Sequence, residues 1–202
     1  MGVERKGFWL VKCNLMKHII LASNSSRRRE LLAGLDLDFE VKVLPDIDES
    51  YPDNLPVAEV AGYIARKKAV PYCALIGEID LVITADTVVI VGNEVLGKPK
   101  DAKDAHRMLQ LISGRTHQVI TGVCLLTTGK EHSFSVTTDV TFKQLSDDEI
   151  AYYIEHYMPF DKAGAYGIQE WIGYVGVTSI NGSYFNVMGL PVQRLWEELK
   201  KF

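Results

Sequence analysis

With 202 residues, 47% of them hydrophobic, the chain can bury one sizeable core, which argues against two independent domains. A formal net charge of -4 gives no global attraction to nucleic acid or to an anionic membrane surface, so phosphate recognition would have to come from local basic residues and a small partner. Cys13, Cys73 and Cys124 are widely spaced and include no C-x-x-C, which argues against a disulfide framework or a zinc knuckle and fits a reducing cytoplasm.

Residues 1–16 read as an N-terminal extension or tail, with an alternative start at Met16, ahead of a single domain over residues 17–202. Lys12, Lys17 and His18 interrupt the apolar residues there, and only Ile19 to Ala22 forms a longer apolar run. Neither a signal peptide nor a membrane span is expected.

Lys17 to Ser23 reads as a short buried strand, followed by a helix over Ser25 to Leu35 with Leu31, Leu32 and Leu35 on one side. A second strand is expected near Phe39 to Leu44, then an acidic loop carrying Asp46, Asp48, Glu49 and Asp53. Pro56 suits the first turn of a helix through Val60, Ile64 and Lys68, which Pro71 ends or kinks.

Asp80 to Val91 is rich in β-branched residues and leads through Gly92-Asn93 into a hairpin with Glu94 to Leu96. A helix over Ala102 to Ile112 precedes two long strands, His117 to Thr127 and His132 to Gln144, joined at Gly129. Ser146 and Glu149 form a capping box for a helix reaching Tyr157. A glycine-rich stretch from Ala163 to Gly167, a strand near Tyr174 to Ile180 and a helix introduced by Pro191 complete the chain. Helices alternate with strands early and a hairpin follows, which predicts an α/β fold: a mixed, curved sheet with flanking helices and two lobes around a central cleft.

Several residues could carry chemistry. Ser23 to Glu30 places hydroxyls and arginines where a strand turns into a helix, and free N–H groups there favour an anion. The same segment alone also reads as a helix cap with a solvated basic face. Asp86 lies inside an otherwise apolar strand, where a carboxylate is expensive to bury without a cation or strong hydrogen bonds. In a cleft it could deprotonate water or hold Mg²⁺, and the sequence leaves both roles open.

Lys98, between Gly97 and Pro99, can return to that cleft toward phosphate oxygens, or stand as a solvated turn lysine. Asp48 and Glu49 could offer hard oxygen ligands and Lys68 a positive charge, although each alone is as readily a surface charge. The Walker A spacing, the paired His/Cys spacings of zinc sites and the G-x-S-x-G elbow are all lacking.

In chain order, LASNSSRRRELL, ARKKA, ADTVV, GKP, SGRTHQVITGV, DKAGAYGIQ and INGSYFNVMGLP resemble the motifs of the Maf family of nucleotide pyrophosphatases, from about Ile19 to the C-terminal helix. The resemblance implies a fold similar to the inosine triphosphate pyrophosphatases, release of pyrophosphate from a nucleoside triphosphate with a divalent metal such as Mg²⁺ or Mn²⁺, and homodimers. It places Asp86 as proton acceptor, with Glu49, Lys68 and Lys98 as further polar residues of the catalytic cleft. Ser23 and Arg28 would join the substrate contacts, and Asp86 and Glu49 would hold the metal. Arg27, Thr87 and Gln169 match the dTTP/UTP type, whereas the 7-methyl-GTP type is more like Trp, Gln and Glu at these positions. The family's association with septum formation makes a nucleotide-binding regulator the rival reading. Two departures stand out: Ser26 replaces a usual proline, and Glu170-Trp171 replaces a glycine-containing stretch.

Overall fold

A computed structural model describes residues 17–202. The tail expected over residues 1–16 lies outside the described residues. Seven strands form one mixed sheet: β1 (His18–Leu21), β2 (Phe39–Val41), β3 (Asp80–Val91), β4 (Glu94–Leu96), β5 (Thr116–Leu126), β6 (Glu131–Phe142) and β7 (Val177–Asn181). Their order is β2-β1-β3-β5-β6-β7, with β4 paired to β3. The β1–β2 and β1–β3 pairs are parallel and the others antiparallel, as expected for a sheet built from an α/β half and a hairpin half.

β3 organises the molecule. Val82 to Ile90 pair with β5, but on its other edge β1 accompanies it only to Ile83 and β4 joins it only from Val89. Residues 84–88 therefore have no neighbouring strand on that side, and the sheet is open there. Side chains alternate across a strand. Leu81, Ile83 and Ala85 face a core made with helices α1 (Ser26–Ala33) and α7 (Val192–Leu199). Val82, Val88 and Ile90 face the opposite side, against helix α2 (Val60–Ala69). A second lobe packs around the far ends of β3, β5 and β6 with helices α3 (Ala102–Ile112) and α4 (Asp147–Tyr157).

The local signals largely act as expected. Ser25 caps α1 by accepting from the Arg28 N–H at 3.4 Å, and Ser146 and Glu149 complete the capping box of α4. α2 lies so close to β5 that a Cβ on Gly122 would stand 2.4 Å from the Gly62 nitrogen, so only glycine permits that crossing.

The C-terminal third departs from the expectation. Tyr174 sits in a short helix α5 (Trp171–Gly176), not in a strand, and β7 begins at Val177. A further short helix, α6 (Tyr184–Met188), precedes Pro191. The aromatic and β-branched content of residues 171–177 favours a strand, but Gly173 packs directly on the Ile168 backbone, where a side chain has no room, and this contact accompanies a helical turn.

Candidate active site

The gap in the sheet opens into a cleft of about 810 Å³. Ser23, Arg27, Arg28, Glu49, Lys68, Asp86, Thr87, Lys98 and Gln169, all singled out in the sequence, line it, whereas Asp48 stays outside and accepts from Lys67 Nζ at 2.6 Å. The β1–α1 turn supplies Ser23, the first turn of α1 Arg27 and Arg28, the acidic loop Glu49, α2 Lys68, the open edge of β3 Asp86 and Thr87, and the loop after β4 Lys98.

Alternation along β3 explains the division of labour. Asp86 shares the parity of Val82 and Val88, so it faces α2, where Lys68 Nζ donates to its Oδ1 at 2.8 Å. Lys68 also pairs with Glu49 Oε2 at 3.1 Å. Two carboxylates thus converge on one ammonium, with Asp86 and Lys68 largely shielded and Glu49 half exposed. Lys98 is exposed on the cleft lining.

Thr87, on the opposite face, shares a 2.9 Å hydrogen bond with Thr121, whose hydroxyl also contacts the Asn186 carbonyl at 2.9 Å. Arg28 lies beneath it. Its Nε donates to the Gly189 carbonyl at 2.8 Å, Nη1 to the Ala85 carbonyl at 2.9 Å and to Ser23 Oγ at 3.5 Å, and Nη2 to Thr87 Oγ1 at 3.1 Å. The Ala85 carbonyl lies on the open edge of β3, so Arg28 takes the place of a missing strand. Burial lowers the affinity of this guanidinium for its proton, while Asp86 acts in the opposite sense. With most of its donors engaged, Arg28 is first a clamp across β1, β3 and the α6–α7 junction; its Nη2 retains capacity toward a ligand.

Arg27 Nη1 is held by Asp161 Oδ2 at 2.7 Å, and Asp161 Oδ1 by Lys162 Nζ at 2.7 Å. Burial raises the Asp161 carboxyl, but hydrogen bonds from Lys162 and Arg27 outweigh it and hold the group at about 2. Gln169 lines the same cleft, with its Oε1 buried and without a partner among the described residues. Asp161, buried Lys162 and Tyr153 were not singled out from the sequence, and Glu170 only as a departure from the family's motif. DKAGAYGIQ contains Asp161 and Lys162, but their ion pairs join positions with no regular spacing.

Asp86 Oδ1 and Glu49 Oε2 could offer hard oxygen ligands to a divalent cation beside the Lys68 Nζ that they flank at 2.8 and 3.1 Å. Among the described residues no three His, Cys, Asp or Glu side chains converge, so a cation would draw its other ligands from phosphate and water, as Mg²⁺ commonly does. Also among the described residues, no helix is long and apolar enough to cross a membrane.

Fold and cleft together define an α/β protein with basic and acidic side chains gathered at a break in its sheet, an arrangement suited to a small polyanion. The family model described as "Maf-like protein" matches residues 18–202, and the chain belongs to that family. It is 60% identical over 189 residues to a dTTP/UTP pyrophosphatase of Phocaeicola vulgatus, covering 93% of this chain and 98% of that one. Proteins of the same name in Parabacteroides distasonis and Flavobacterium psychrophilum are 57% and 51% identical, covering 94% and 88% of this chain and 98% and 91% of theirs. The solved Staphylococcus aureus Ham1 protein is similar over 62% of this chain and 72% of its own, at 16% identity and a TM-score of 0.47.

Proposed function

We propose that the chain hydrolyses dTTP and UTP between the α- and β-phosphates, yielding the nucleoside monophosphate and pyrophosphate. The observation that carries this reading is the meeting of Asp86, Lys68 and Glu49 at the open edge of β3, in a cleft shared with Lys98 and Arg27. Similarity to proteins named dTTP/UTP pyrophosphatase over nearly their whole lengths supports the substrate class.

A nucleoside triphosphate brings about four negative charges, which Lys68, Lys98 and Arg27 offset. Asp86, placed by β3 and oriented by Lys68, accepts a proton from the attacking water. The new O–P bond forms as the α–β bridging bond breaks, and pyrophosphate departs. Asp86 and Glu49 would hold a divalent cation such as Mg²⁺ or Mn²⁺, which would supply further neutralisation of phosphate charge. Thr87 and Gln169 meet the base from opposite sides, with Arg27 fixing the pocket between them. The chain acts in the cytoplasm on a free nucleotide, without nucleic acid or membrane as partner, and forms a homodimer.

The test is pyrophosphate release with Mg²⁺ or Mn²⁺ across dTTP, UTP, CTP, 7-methyl-GTP, ITP and the common purine triphosphates, beside Asp86→Asn. Cleavage of dTTP and UTP that the substitution abolishes is the expected result. A preference for 7-methyl-GTP would keep the chemistry and reject the base assignment. No turnover of any nucleotide would replace the enzyme with a nucleotide-binding regulator.

A further inference from the structure

Gln169 occupies the third position of a tight turn, in which the Glu170 N–H donates to the Gly167 carbonyl at 3.0 Å. Tyr153, fully buried in α4, ties the two ends of that turn together. Its hydroxyl accepts from the Gly167 N–H at 2.9 Å and donates to Glu170 Oε2. The Glu170 carboxylate lies against Gly167, where a Cβ would come within 2.8 Å of Glu170 Cδ.

The other Glu170 oxygen pairs with Lys162 Nζ at 3.1 Å. Lys162 holds Asp161 at 2.7 Å, and Asp161 holds Arg27 at 2.7 Å. Arg27 is therefore joined by a continuous line of ion pairs to Glu170, the residue that follows Gln169 in the turn.

Such a line has a chemical purpose. A glutamine amide carries a donor and an acceptor side by side, and turning it over exchanges them. Uracil presents a carbonyl acceptor beside an N–H donor, whereas cytosine presents an amino donor beside a ring-nitrogen acceptor. Gln169 can distinguish them only if its backbone and its distance from Arg27 are fixed.

We propose that Tyr153 and Glu170 are positioning residues for base selection, which, through Lys162 and Asp161, set the mutual placement of Gln169 and Arg27 without touching the nucleotide. This rests on the function proposed above.

The experiment is steady-state kinetics of the full-length protein and of Tyr153→Phe, Glu170→Gln and the double variant, with UTP and with CTP. The ratio of kcat/KM for UTP to that for CTP is expected to fall about tenfold in each single variant, through a raised KM for UTP with kcat retained. The double variant should lose little more than the worse single one, because both act on one turn. An unchanged ratio in the folded variants would overturn the proposal and leave the enzyme assignment standing. If Tyr153→Phe fails to fold, Glu170→Gln alone decides, since it preserves shape and removes only the charge. A wild type that turns over neither UTP nor dTTP would overturn the enzyme assignment, and this proposal with it.

Discussion

Lys68 and Asp86, 18 residues apart in the chain, meet at 2.8 Å because α2 crosses the one stretch of β3 that lacks a neighbouring strand. The ammonium orients the carboxylate and also pairs with Glu49 at 3.1 Å, so in the proposed reaction Lys68 both holds the base and faces incoming phosphate. Replacing it with methionine keeps the stem and removes the charge. Turnover is expected to fall by about 10²–10³-fold, by analogy with loss of one preorganised donor. Pyrophosphate release by Lys68→Met at saturating UTP checks this, and near-normal kcat would mean that Asp86 works without its lysine.

Arg28 gives a contrasting expectation. A lysine at this position retains the charge but cannot reach the Gly189 and Ala85 carbonyls and Thr87 together. Arg28→Lys should lower the unfolding free energy by about 1–3 kcal/mol for the buried group it leaves unpaired, in the absence of any nucleotide. Urea unfolding is the measurement. A residue whose role was confined to phosphate contact would lose substrate affinity and leave the urea midpoint in place.

The different fates of these two residues show what was legible in the sequence. A carboxylate inside the apolar run Leu81 to Ile90 marks Asp86, and the even spacing of Val82, Asp86 and Val88 places it on one face of β3. The capping box at Ser146 and the arginine run after Ser25 are likewise local patterns. Arg28 reads as a phosphate ligand because the sequence does not show that β1 stops at Leu21, opposite Ile83, and leaves the Ala85 carbonyl in need of a donor. The Tyr153–Glu170 contact bridges 17 residues, from α4 to the extended residue before α5, and α5 forms against the strand preference of its own residues. What was missed depends on tertiary packing, which carries no short-range signature.

Gly122 marks a close approach in the support beneath the site. A methyl group there would stand 2.4 Å from the Gly62 nitrogen and 2.5 Å from the Ala61 backbone, and helix backbone cannot yield as a flexible side chain can. Gly122→Ala should push α2 away from β5 and destabilise the fold by about 1–3 kcal/mol. Because Lys68 rides on α2, activity should fall as well, even where the protein remains folded. Paired urea and pyrophosphate-release measurements test the coupling, and full activity in a destabilised variant would argue against it.

His117 supplies the pH dependence of stability. It is buried, with Nε2 2.8 Å from the Tyr166 hydroxyl, and burial holds its imidazole at about 4 rather than 6.5. As pH falls through about 6.5 the unfolded chain takes up a proton that the folded chain refuses, so the unfolded state gains. The stability that His117 contributes is therefore fully present above about 6.5 and declines until the folded ring itself protonates near 4. The gap corresponds to about 3 kcal/mol. Urea midpoints measured from pH 7 to pH 4.5 should fall in the wild type and change less in His117→Gln, while NMR of the folded protein should show a neutral ring at pH 5.5. An imidazole that titrates near 6.5 in the folded protein would mean that the second lobe admits water to His117.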